Sequence, residues 1–349
     1  MACKIMVNSR ILAYRITGVQ RYLLEILDGI PLDKSRHVTP HRSLNGARAH
    51  LWEQTVLPLR TRGQLLWSPS NTGPLAVSRQ VVTIHDVVPI DHPEWLNPHF
   101  AAWCRFLTPK LARRVARVIT DSEFTKSRLL DTTGVAEDKV IVVPLGVDAR
   151  FCPQTIEDVE SAIQKLELPT SRYVLSLGSL EPRKNLGRLL CAWEVIYRGL
   201  PEDVWLVVSG AKGNSLVFQD VPELESLPSR VFLTGHVPDE HLPSLYAGAM
   251  AFAYLSVYEG FGLPPLEAMA SGTPTLVGNR ASLPEVVGDA ALMVDPYDIE
   301  AIAEGLRSLI EDDALRALLR QKGLERAAQF SWDRTAEQTW RVLQDAAER

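Results

Sequence analysis

Residues 251–267 read Ala251-Phe252-Ala253-Tyr254-Leu255-Ser256-Val257-Tyr258-Glu259-Gly260-Phe261-Gly262-Leu263-Pro264-Pro265-Leu266-Glu267. The first five residues are a short apolar run, the pattern of a buried strand, and a helix is predicted over Pro265–Ala270. The turn between them holds Gly260 and Gly262. Glycines let backbone approach a ligand closely, and amides at a helix start favour phosphate. Glu259 falls in the turn, and Glu267 falls roughly one and a half turns into the helix. Carboxylates are strong acceptors for sugar or ribose hydroxyls. The alternative is a pair of solvated acids, which the glycines and prolines packed around Glu259 at a strand end argue against.

The same strand–turn–helix unit repeats outward from this point. Strands are predicted at Tyr173–Leu177, Val204–Ser209, Val231–Thr234, Thr275–Val277 and Ala291–Val294. Helices are predicted at Leu186–Tyr197, Glu240–Tyr246, Ile299–Ile310 and Asp313–Gln329. Upstream, Lys4–Asn8, Val81–Ile84, Val115–Thr120 and Val140–Val143 read as strands. Val19, Tyr22, Leu23, Ile26, Leu27 and Ile30 share one helix face, another helix spans Pro98–Arg114, and Asp121-Ser122 can cap the next. Residues 31–80 give no clear pattern. Short apolar strands alternating with helices mean βαβ units and parallel sheets. The fold class is therefore α/β, with two Rossmann-like doubly wound domains over residues 1–155 and 156–330 and a closing helix over 331–349. The default ligand site is the cleft that the two domains face, beyond the carboxyl ends of the strands.

Composition narrows the function. The chain has 349 residues, 46% hydrophobic and 23% charged, an ordinary globular balance that excludes collagen-like, disordered and disulfide-stapled classes. Cys3, Cys104, Cys152 and Cys191 form no CxxC and suit reduced cytoplasmic thiols. Residues 1–152 carry 20 Lys+Arg and 13 Asp+Glu, or +7, and residues 153–349 carry 17 and 29, or −12. The basic half suits an anionic substrate or membrane surface; the plainer reading is charge drift between two domains. The N-terminus shows no secretory h-region, and no apolar run approaches the roughly 20 residues of a spanning helix. Membrane contact is therefore expected to be peripheral. Neither GxGxxG after the first strand nor GxxxxGK[ST], HExxH or GxSxG occurs, and no metal-ligand cluster is evident.

Further candidates stand after other strands. Gly178-Ser179-Leu180-Glu181-Pro182-Arg183-Lys184-Asn185 sets Arg183 and Lys184 at a strand-to-helix turn, where they can neutralise a diphosphate or simply form a basic surface turn. His85-Asp86 closes the strand Val81–Ile84; a neutral His85 can serve a sugar hydroxyl or leaving oxygen, or be a structural histidine held by a backbone carbonyl. Thr17-Gly18 stands at a helix start, and Gly235-His236-Val237 can edge a base pocket.

Together these segments resemble the retaining glycosyltransferases of GT-B architecture, family 4 of the sugar-transferase classification. Glu259 and Glu267 match its E-x7-E signature, Glu181-Pro182-Arg183-Lys184-Asn185 its donor-phosphate segment, and Thr83-Ile84-His85-Asp86 its N-terminal histidine segment. Pro144-Leu145-Gly146-Val147-Asp148 resembles the stretch before its interdomain linker, and Phe330-Ser331-Trp332 the start of the last helices, which cross back to the first domain. Thr17-Gly18 departs from the usual glycine pair, and Ser179 stands where many members have arginine.

The resemblance implies a metal-independent, retaining hexosyltransferase with no cofactor. Its donor is a nucleotide-sugar, GDP-mannose first and a UDP-hexose such as UDP-glucose as the alternative. It implies His85, Arg183, Lys184 and Glu259 as catalytic residues. Gly18, Arg183, Lys184, Val237, Gly262, Leu263 and Glu267 are implied as donor-binding, with Glu267 on the ribose. The acceptor would be a saccharide or a polyprenyl-diphosphate-linked glycan of bacterial polysaccharide synthesis. Arg105, Lys110, Arg113, Arg114 and Arg117, beside Trp103 and Phe106, would give a cytoplasmic enzyme a peripheral contact with the inner membrane face. No nucleic-acid partner is expected. A non-catalytic nucleotide-sugar-binding protein is the alternative of another class.

Overall fold

The computed structural model describes residues 5–14, 17–31, 34–210 and 227–348. Cys3, Lys4 and Arg15-Ile16 lie outside them. The chain divides into two compact units, Met1–Gly146 with Ser331–Arg349, and Val147–Phe330. Each carries a six-stranded sheet among the described residues.

In the first unit the strands are β1 (Ile5–Asn8), β2 (Ser35–Val38), β3 (Leu66–Ser68), β4 (Gln80–Thr83), β5 (Arg117–Thr120) and β6 (Val140–Val142). They pair in parallel in the order β2-β1-β3-β4-β5-β6. The helices are α1 (Gly18–Asp28), α2 (Ala47–Arg60), α3 (Val88–Asp91), α4 (Pro98–Arg114) and α5 (Glu123–Thr133). The second unit has β7 (Arg172–Leu177), β8 (Val204–Ser209), β9 (Val231–Gly235), β10 (Ala251–Tyr254), β11 (Thr275–Gly278) and β12 (Leu292–Val294). These are also all parallel, in the order β12-β11-β10-β7-β8-β9. Its helices are α6 (Ile156–Lys165), α7 (Leu186–Ile196), α8 (Leu242–Ala247), α9 (Leu263–Ala270), α10 (Leu283–Val287), α11 (Ile299–Glu311) and α12 (Asp313–Ala327). The architecture is the expected α/β one.

Both sheets are covered by helices, so their central strands are apolar on both faces. In the second unit Val174, Leu206, Val208, Ala253 and Leu276 pack with Leu189 and Trp193 of α7 and Ile302 and Leu306 of α11. Each such side chain contributes about 1.5–3 kcal/mol on burial.

The differences from expectation have local causes. Residues 31–80 hold β2, α2 and β3. In α2, Leu51 and Leu59 are 64% and 75% exposed while Glu53 is buried along with Trp52 and Leu57, so the apolar pattern is broken. α9 starts at Leu263 because Gly262 (φ 118°) caps it and two prolines fill its first turn, where no N–H partner is needed. α8 starts at Leu242, with His241 as its cap, rather than at Glu240. Ser122 alone caps α5, accepting from the amide of Thr125. Cys104 is buried, and Cys152 and Cys191 are exposed and free. No helix among the described residues is long and apolar enough to cross a membrane.

A final helix, α13 (Trp332–Glu348), returns to the first unit. It buries Trp332, Thr335, Ala336, Thr339, Val342, Leu343 and Ala346 along one stripe. The chain leaves this unit at Gly146 and re-enters at Ser331, and the two points abut. A Cβ on Gly146 would stand 2.2 Å from the Trp332 nitrogen and 2.4 Å from the Ser331 carbonyl carbon. The Thr335 hydroxyl donates to the Pro144 carbonyl at 2.8 Å.

Candidate active site

The strand order of the second unit reverses between β10 and β7. In doubly wound sheets ligands bind outside the carboxyl ends of strands at such a point. The segments leaving these two strands, Gly178–Asn185 and Leu255–Gly262, are laced together. The Val257 amide donates to the Arg183 carbonyl at 2.9 Å, and the Ser256 hydroxyl oxygen lies 2.9 Å from the same carbonyl. Ser282 donates to the carbonyls of Glu259 at 2.9 Å and Phe261 at 2.6 Å. Pro182–Lys184 form one 3-10 turn, ended by a left-handed Asn185 (φ 59°) whose side-chain Nδ2 donates to the Pro296 carbonyl. Gly210 (φ 149°) brings in the end of β8: a Cβ there would lie 1.8 Å from the Gly178 carbonyl oxygen.

This scaffold gathers Arg183, Lys184 and Glu259. The Glu259 carboxylate accepts from Arg183 Nη1 at 2.7 Å, Lys184 Nζ at 2.6 Å, the Tyr254 hydroxyl at 2.8 Å and the Ser256 hydroxyl at 2.6 Å. Arg183 Nε also donates to Glu181 Oε2 at 2.8 Å. Glu259 is only 7% exposed, which excludes the solvated loop acid. Burial pushes its pKa up, but the charges of Arg183 and Lys184 outweigh that and hold it at about 2. Burial, then the neighbouring Arg183, lowers the Lys184 pKa, against the pull of Glu259.

Glu267 lies on α9, 6% exposed, and Oε2 accepts from the Tyr246 hydroxyl at 3.0 Å. Tyr246 is fully buried, edge-on to Phe151 and Phe252. Leu263 opens α9 directly after Gly262, and Val237 is buried just after β9.

His85 and Gly18 belong to the first unit. His85 Nδ1 lies 2.7 Å from Asp121 Oδ2, and Nε2 lies 3.0 Å from the Pro69 carbonyl. Both partners present acceptor oxygens, an arrangement that favours the protonated ring. Burial opposes that charge, but Asp121 overrides it and raises the pKa. Part of the structural alternative for His85 holds, since a backbone carbonyl does grip the ring. Tyr22 of α1 packs edge-on against His85 at 4.8 Å. Gly18 is the exposed first residue of α1, whose preceding Thr17 amide donates to Gln20 Oε1 at 3.0 Å.

Sequence reasoning does not single out Glu181, Tyr246, Tyr254, Ser256 or Asp121 as functional. Only Glu181 carries a signal, its place two residues before Arg183.

Residues 158–326 match the family model described as Glycosyl transferases group 1, and residues 66–151 match Glycosyltransferase Family 4. The chain is 34% identical over 270 residues to O-antigen chain mannosyltransferase B of Escherichia coli, covering 76% of this chain and 70% of that protein. It is 31% identical to the serotype-specific mannosyltransferase WbdA of Escherichia coli, over 77% of this chain but only 34% of that protein. The crystal structure of Anabaena Alr3699/HepE in complex with UDP and glucose superposes with a TM-score of 0.78 at 19% identity, over 98% of this chain and 99% of that one.

Proposed function

The chain belongs to the glycosyl transferases group 1, and from that premise we propose that it moves mannose from GDP-mannose to a growing bacterial polysaccharide. That it is a glycosyltransferase follows from the family. Mannose is favoured by the names of the curated relatives. A UDP-hexose donor is the second reading, favoured by the UDP and glucose of the Anabaena complex.

The observation that carries the donor site is the pair Arg183 and Lys184, fixed where the sheet order reverses. In the proposed reaction the bond between the anomeric carbon and the phosphate oxygen breaks, and its electron pair stays on the diphosphate. The acceptor hydroxyl attacks from the same face, and its proton passes to the departing phosphate oxygen, so configuration is retained. Arg183 and Lys184 stabilise the growing phosphate charge, a task that in other enzymes falls to a metal. Glu267, steadied by Tyr246, holds the ribose diol. Gly262 and Leu263 present backbone to the sugar or phosphates, and Val237 edges the base. His85 and Gly18 remain assigned to the donor.

The test is calorimetric binding of GDP and of UDP, with and without magnesium. Preference for GDP supports GDP-mannose, and preference for UDP selects the second reading. Glu267→Ala is expected to weaken binding of the preferred nucleotide by about 1.5–3 kcal/mol, roughly 10- to 150-fold. An unchanged affinity would remove the ribose assignment.

We assign the acceptor, a saccharide or polyprenyl-diphosphate-linked glycan, to the first unit. There α4 buries Cys104, Leu107 and Leu111 and exposes Arg105, Phe106, Lys110, Arg113 and Arg114. Lys110 Nζ sits 3.5 Å over the Phe106 ring. This face suits peripheral contact with an anionic membrane on its cytoplasmic side. Phosphatidylglycerol vesicles are expected to sediment the protein at low salt, and phosphatidylcholine vesicles are not. Equal sedimentation with both would count against it.

A further inference from the structure

Arg183 and Lys184 do not stand in the site as free positive charge. Both are paired to Glu259, and Arg183 also to Glu181. The four side chains are two acids and two bases, so the cluster is formally neutral. All four are largely buried, with side-chain exposures of 4% to 16%. At that depth a charge stripped of its partner is costly.

We propose that Glu259 makes the site discriminate between a sugar nucleotide and a bare nucleoside diphosphate. The inference rests on the reading that Arg183 and Lys184 take the diphosphate. A diphosphate that pairs with these cations competes with Glu259 for them. Glu259 is then left with the hydroxyls of Tyr254 and Ser256, a buried carboxylate short of two charged donors. Uncharged hydroxyl donors restore its partners without adding negative charge. The hexose of a sugar nucleotide brings such hydroxyls, and the bare diphosphate brings none. The two ligands therefore differ by more than the contacts of the sugar itself.

The same competition acts after transfer. Once the hexose has gone to the acceptor, Glu259 again lacks the sugar hydroxyls. It reclaims Lys184 and Arg183 and weakens the hold on the spent nucleotide. Glu267 differs in that the Tyr246 hydroxyl that donates to it is neutral. Glu181 differs again: it binds Arg183 through Nε and makes no ion pair with Lys184 among those of the described residues.

The test compares dissociation constants of GDP with GDP-mannose, and of UDP with UDP-glucose, on the full chain and its variants. Glu259→Gln keeps the shape and removes the charge. It is expected to tighten binding of the bare diphosphate at least 10-fold, and the sugar nucleotide much less. Product inhibition should strengthen in step. Glu181→Gln should shift both ligands alike and leave their ratio unchanged. Glu259→Asp, which shortens the reach toward the two cations, should move the ratio in the same sense and serves if Glu259→Gln does not fold. An unchanged ratio in the Glu259 variants, or an equal change in the ratio in Glu181→Gln, overturns the proposal while the donor site stands. Absence of all nucleotide binding to the unaltered chain overturns the donor reading and this proposal together.

Discussion

Lys184→Ala is expected to lower kcat for sugar transfer by about 10²- to 10³-fold, with a much smaller change in donor KM. The asymmetry comes from when the charge is needed. In the bound donor the diphosphate is stabilised by several groups at once, whereas in the transition state negative charge grows on the phosphate oxygen that is leaving. The Lys184 ammonium, held by Glu259 Oε1 at 2.6 Å and by the Tyr254 hydroxyl, is assigned to that growing charge, which draws it away from Glu259. Lys184→Arg should not rescue the loss, because a planar fork cannot replace a point charge in a slot bounded by Gly178, Tyr254 and Glu259. Steady-state kinetics on the variants, with a urea unfolding curve to confirm the fold, reads the result. A kcat within a few-fold of the unaltered enzyme would show that the phosphate charge is carried elsewhere.

Glu53→Ala is expected to destabilise the first unit by about 3–5 kcal/mol, the range for a buried ion pair that loses one member. Glu53 Oε1 accepts from Arg10 Nε at 2.9 Å, Asn8 Nδ2 at 2.7 Å and the Thr72 hydroxyl at 3.2 Å. Removing it leaves a guanidinium that is 7% exposed without its counter-charge. Replacing both members with apolar residues, Glu53→Leu with Arg10→Met, should recover most of the loss. The pH dependence has a definite sign. Burial raises the Glu53 pKa, but Arg10 and His50 more than reverse this and hold it at about 2, against an ordinary 4.5. The folded unit therefore binds fewer protons than the unfolded chain. Its contribution is complete above pH 4.5 and is lost as pH falls toward 2. Urea unfolding between pH 7 and 2 should show this decline in the unaltered chain and a flatter profile in Glu53→Ala.

The sequence disclosed the parts of the site that depend on near neighbours. Ala251–Tyr254 is legible because a parallel strand covered on both faces is simply apolar, and Gly260 and Gly262 punctuate the turn after it. Arg183 and Lys184 are legible because they stand together in the turn between a strand and a helix. Long-range partners leave no such trace. Tyr246 reaches Glu267 across 21 positions, and Asp121 reaches His85 across 36. Neither tyrosine nor aspartate carries a mark that distinguishes it from its neighbours. Asp121 even imitates a helix cap, a role that Ser122 fills alone. In α2 the local signal is misleading, since a buried Glu53 between exposed leucines reads as a solvated segment. The raised pKa of His85 is hidden for the same reason as its partner: the Asp121 carboxylate that raises it lies at the end of another strand.

The abutment of Gly146 with Ser331 and Trp332 has a bearing on how such proteins diversify. Residues 147–330 are one uninterrupted block whose entry and exit share a single point on the host. A recombination event that exchanges this block needs only two nearby joints, and α13 and the six strands of the host keep their own partners.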